Sequence, residues 1–104
     1  MMYVLVTYVP VTHIEQVKTA LFEAGGGAIG NYSSCSWQVK GQGQFKPGNG
    51  SDPFLGKPAQ LEKVDEYRLE LVCSDEKVAE VAAALKRAHP YEEPAYHFIK
   101  AEEF

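Results

Sequence analysis

Cysteine is scarce in this 104-residue chain: Cys35 and Cys73 are its two, with no CxxC spacing and no set of four or six to frame a secreted scaffold. That scarcity favours a reducing, cytoplasmic setting. Histidine is nearly as rare, and His13, His89 and His97 form neither HxxxH nor HExxH, so no helix offers two imidazoles to one metal. Basic charge is also short. Ten Lys and Arg against fourteen Asp and Glu give a net charge of −4, which argues against a general polyanion binder and so against a nucleic-acid partner. No hydrophobic run approaches the roughly 20 residues that cross a bilayer. The apolar opening from Met1 to Val11 lacks a charged start and a small-residue cleavage site, so it reads as a strand, with no membrane partner.

Glycine signatures for nucleotides are missing in the context that would give them meaning. Gly25, Gly27 and Gly30 fit GxGxxG, but they follow a helical pattern and lead into a strand, the reverse of the dinucleotide fingerprint. Helix termination accounts for them. Gly56 and Lys57 are followed by Pro58, so the Gly-Lys-Ser/Thr ending of a phosphate loop is absent as well.

What is present outlines one small α+β domain over residues 1–104, a length that suits a single core of about 100 to 150 residues. From Tyr3 to Val9 both alternating sets are apolar, which predicts a central strand covered on its two faces. Thr12 and Glu15 have capping-box spacing, Ile14, Val17 and Leu21 follow at helical intervals, and Gly25 to Gly27 end the helix. Ala28 to Val39 alternates weakly and is expected to be a half-buried strand, with Ile29, Cys35 and Trp37 inward. Lys40 to Gln60 holds five glycines and three prolines and is expected to be a long loop. Leu69, Leu71 and Cys73 mark another strand, and both cysteines are expected to pack as small hydrophobes. Val78, Val81, Ala82 and Leu85 mark a second helix that ends before Pro90, and Tyr96 to Ile99 a last strand.

Two strand–helix–strand halves in series predict a ferredoxin-like βαββαβ sandwich: a four-stranded antiparallel sheet with two helices on one face. The sheet's other face needs a cover, and self-association into a homo-oligomer would supply one. The most specific short motif is the connector His89, Pro90, Tyr91, Glu92, Glu93, Pro94. Its prolines fix the backbone around a phenol and two carboxylates able to meet a ligand. Its plainer reading is a rigid corner with solvated carboxylates.

The runs AIGNYSSCSW, GQGQFKPGNGSDPFLG, VDEYRLELVC and AHPYEEPAYHF together resemble the YqfO-type domain, over Ala28 through Phe98. In the NGG1-interacting-factor-three-like proteins such a domain is inserted between two lobes that carry a dimetal site. The resemblance implies a PII/CutA-like fold, usually trimeric, so a trimer is expected before a dimer. It also matches the 40–60 loop to the partner-binding loop of PII proteins. None of the metal lobes or their ligands occurs here, and His97 and Trp37 stand where the family has an acidic residue and a Phe.

The expected function is a non-catalytic oligomeric binding or regulatory module. The candidate ligand contacts are His89, Tyr91, Glu92 and Glu93 on the connector and Lys46 and Lys57 on the loop. Lys40, Lys46 and Lys57 against Asp52 make that loop locally basic, which suits a small anionic ligand or an acidic protein partner. No cofactor is expected. One alternative is a CutA-like protein for a divalent transition metal such as Cu or Zn, held by His89, Glu92 and His97. A second is a small hydrolase whose site lies at a subunit interface.

Overall fold

The computed structural model describes residues 1–104. Strand β1 (Met2–Pro10) is followed by helix α1 (Ile14–Glu23), the edge strand β2 (Trp37–Phe45), and the long strand β3 (Glu62–Ser74). A short 3-10 turn (Asp75–Lys77) leads into helix α2 (Val78–Ala88), and strand β4 (Tyr96–Ala101) closes the order. The sheet runs β2-β3-β1-β4 with every neighbouring pair antiparallel. This is the ferredoxin-like α+β sandwich, with β3 inserted between β1 and β2.

The register assigns the faces. Leu5 stands opposite Leu71 and Phe98, and Thr7 opposite Leu69 and Tyr96, so these residues share one face. Onto that face α1 brings Ile14, Val17 and Leu21 and α2 brings Val81, Ala84 and Leu85. The aliphatic members form one buried core with Val9 and Cys73. Truncating any one of the fully buried leucines there is worth about 2–5 kcal/mol. Thr7 is the core's buried hydroxyl, and it donates to the Ala95 carbonyl at 2.9 Å.

Four expectations change. The second strand does not span Ala28 to Val39: it starts at Trp37 and runs to Phe45, so the connecting loop begins only after Phe45. Residues 28–36 instead turn back on themselves. Gly30 and Ser34 have positive φ, Ile29 and Tyr32 pair in an isolated bridge, and the Cys35 amide returns to the Gly27 carbonyl at 2.9 Å. The polar run GQGQF gains its order from the β3 ladder, which pairs Gly41 with Glu66 and Gly43 with Val64.

Cys35 is accordingly only half-buried, and Ile29 and Trp37 are half or more exposed, whereas Cys73 does lie in the core. Thr12 makes no capping box: His13 is the N-cap residue, with no side-chain cap bond, and the Thr12 hydroxyl meets His13 Nδ1 at 2.7 Å instead. His89, expected as a ligand contact on the connector, is buried at the end of α2.

Candidate functional site

α2 ends because Pro90 follows His89, and a residue before proline is pushed to extended angles; His89 has φ −71° and ψ 133°. The turn carries the imidazole inward to the end of β1. There Nε2 lies 2.7 Å from the Tyr8 carbonyl, and the Tyr91 amide donates to Nδ1 at 3.2 Å. A carbonyl at one nitrogen and an N–H at the other select the neutral tautomer with its proton on Nε2. Burial pushes the pKa of His89 below the ordinary imidazole value, against smaller upward pulls from the Tyr8 carbonyl and the Glu66 charge.

The same connector aims Tyr91 across the sheet. Its hydroxyl donates to Glu66 Oε2 at 2.7 Å. Burial raises the phenol's pKa well above its ordinary value, and the Glu66 bond and charge add to that rise. Glu66 lies on the sheet face the helices leave open, beside Gly43. A Cβ at position 43 would run into the Glu66 carboxylate, so the glycine leaves the notch in which that carboxylate lies.

Residues 46–61 form a strap over this end of the sheet. Pro47 is buried and accepts the Ala59 amide at 2.7 Å, and the Asp52 amide donates to Glu92 Oε1 at 3.0 Å. Phe54 packs edge-on to His13 with centroids 5.2 Å apart and lies 6.5 Å from the Tyr91 ring. Between strap and sheet remains a cleft of about 340 Å³. Tyr8, Phe45, Phe54 and Tyr91 give it aromatic walls, Pro47, Pro53 and Leu55 add aliphatic surface, and Glu66, Glu92 and Glu93 supply carboxylates.

The candidate residues from the sequence are thus partly gathered. Tyr91, Glu92 and Glu93 line the cleft, and the His89 ring lies tilted beside that of Tyr91, 4.8 Å between centroids, with both nitrogens occupied. Lys46 and Lys57 are exposed on the strap and line no part of the cleft, so its charge is acidic where the sequence suggested a basic loop. His97 is exposed on β4 opposite Val6, away from the connector, and no three His, Cys, Asp or Glu side chains converge as a metal-holding group. The set His89, Glu92, His97 is not assembled.

Sequence reasoning missed Tyr8, Phe45, Phe54 and above all Glu66. Glycine at every second position of GQGQF, facing a charged strand, was the one signal for a notch there.

No helix is long and apolar enough to cross a membrane. No family model matches the chain. The GTP cyclohydrolase 1 type 2 homolog of Halalkalibacterium halodurans is 50% identical over 95 residues, which cover 91% of this chain and 26% of that protein. Its namesake in Bacillus subtilis is 44% identical over 99 residues, covering 95% and 26%. The chain therefore spans about a quarter of the length of the curated relatives it matches. Among solved structures, the Bacillus cereus protein related to NIF3 superposes with a TM-score of 0.84 at 41% identity, over 98% of this chain and 26% of that one. The divalent cation tolerance protein CutA of Archaeoglobus fulgidus gives 0.72 at 20% identity, over 100% and 87%, a likeness of fold alone.

Proposed function

We propose, for a chain that belongs to the YqfO-type domain family of the NIF3-related proteins, that it is a non-catalytic, self-associating module that binds a small ligand in the cleft beneath its strap. The observation that carries this reading is how the titratable groups around the cleft are spent. His89 has both ring nitrogens on backbone partners, and Tyr91 has its hydroxyl on Glu66. These bonds hold a wall in place and leave neither group poised to move a proton at neutral pH. The buried thiol of Cys73 belongs to the core, and burial pushes its pKa upward, away from a nucleophile.

A concave site with mainly apolar walls and a few fixed polar groups suits a small molecule. Self-association is supported by the open face of the sheet, where Trp37, Val39 and Ile99 are each about half exposed. No cyclohydrolase step is assigned to the chain, since about three quarters of the relatives bearing that name lies outside it.

The test is a thermal-shift screen of metabolites on the purified chain, run beside nucleotide and phosphoester hydrolysis assays. A stabilising compound whose effect is lost in Phe54→Ala, with no turnover, is the expected result. Turnover that Tyr91→Phe abolishes would overturn the reading.

A further inference from the structure

We propose that the cleft is a receptor for an organic cation: a protonated amine or guanidinium on a small apolar body, held by the rings of Phe45, Phe54 and Tyr91 and the Glu66 carboxylate. The proposal deepens the reading of this cleft as a ligand site and rests on it.

The three rings are tilted against one another. Phe45 and Tyr91 lie 5.7 Å apart between centroids at 54°, and Phe54 and Tyr91 6.5 Å apart at 46°. None is stacked flat on another, and all three rings line the cleft, where they can meet an occupant. A cation over the face of such a ring is attracted by its quadrupole.

The charge around the cleft has one sign. Every ionisable side chain lining the cleft other than the two tyrosines is an acid: Glu66, Glu92 and Glu93, with no Lys or Arg among them. Glu66 gives Oε2 to the Tyr91 hydroxyl, and its Oε1 lies in the Gly43 notch. Glu92 gives Oε1 to the Asp52 amide. Each keeps a second oxygen without a protein donor, so acceptors outnumber donors in the cleft. A partly enclosed space walled by one sign of charge concentrates ions of the other sign and repels anions. A bare metal ion fits less well, because it needs several oxygens converging on one point and no three acidic or imidazole groups do so. Diffuse positive charge on a carbon framework satisfies the carboxylates and the rings together.

Titration calorimetry on the full chain with three size-matched probes tests this: phenethylammonium, 2-phenylethanol and 3-phenylpropanoate. The cation should bind about tenfold or more tightly than the alcohol, and the propanoate more weakly than either. Glu66→Gln keeps an oxygen for the Tyr91 hydroxyl, so it should weaken the cation by about tenfold while leaving the alcohol unchanged. Should Glu66→Gln fail to fold, Glu92→Gln, at an exposed side chain, carries the same comparison in the same direction. Equal binding of all three probes, or tightest binding of the propanoate, overturns the charge class; if Phe54→Ala abolishes that binding, the cleft stands as a ligand site of another kind. Absence of binding by all three overturns the proposal outright, and the metabolite screen then decides the broader reading separately.

Discussion

At Nδ1 and Nε2, His89 meets a backbone N–H and a backbone carbonyl, a pairing that one neutral tautomer alone satisfies. Protonation at Nδ1 would set two N–H groups against each other inside a buried site. The folded-state pKa is lowered, chiefly by burial, below the ordinary 6.5. In the window between the two values the unfolded chain binds the extra proton, so stability rises with pH there and is lost as pH falls below 6.5. Urea unfolding from about pH 7 down to about pH 5 should show this loss in the wild type, above the range where most carboxylates titrate. His89→Leu should be less stable at neutral pH by about 1–3 kcal/mol, because it orphans the Tyr8 carbonyl and the Tyr91 amide. It should also flatten the slope. An equally steep fall in the variant would show that His89 does not set it.

Among the elements, the segment between α1 and β2 depends on Gly27. Its φ is +77°, its amide donates to the Val72 carbonyl at 2.8 Å, and its carbonyl receives the Cys35 amide. A Cβ there would come 2.7 Å from the Cys35 carbonyl oxygen and 3.1 Å from the Phe22 ring. Gly30 also has positive φ, at +55°, but faces open space. Gly30→Ala should therefore cost about 1 kcal/mol from backbone strain alone, and Gly27→Ala at least about 1 kcal/mol more from the collision with backbone. Denaturant melts of the two variants make the comparison, and equal losses would mean that the 28–36 turn gives way without cost.

These elements also divide by how legible they were. α1, β3 and α2 could be read because each buries one set of residues at its own period, as Leu69, Leu71 and Cys73 do on β3, and β1 because both of its alternating sets are apolar. β2 could not, because an edge strand reading Gly-Gln-Gly-Gln carries no apolar alternation, and its order comes from the partner strand β3, which lies beyond the 46–61 strap in sequence. The connector was visible as a rigid corner between two prolines. The burial of His89 was not, since its partner is the backbone carbonyl of Tyr8, 81 residues away in sequence. Glu66 stayed hidden for a related reason: its role depends on the missing Cβ of Gly43 on one side and the Tyr91 hydroxyl on the other.

For the molecule as a whole, the helices cover one face of the sheet and leave the other open. Val72, Val4 and Ile99 line up there across three strands, and Trp37 lies beside Glu70 at the β2 edge. A contiguous apolar surface of that kind is costly in water, and a second copy of the same face covers it with matched chemistry. Light scattering after size exclusion should give a mass of at least two chains. Trp37→Glu should shift it toward one chain, and a wild-type monomer at micromolar concentration would contradict self-association. The cleft lies on this open face, near the end where β1 finishes. The most direct measurement of ligand binding there is a map of backbone amide shifts in the isotope-labelled chain, titrated with a fragment set spanning cations, anions and neutral aromatics. The shifts should concentrate on residues 43–55 and 91–95, around the cleft; shifts confined to the surface around Trp37, Val39 and Ile99, or absent throughout, would mean that the cleft takes no ligand.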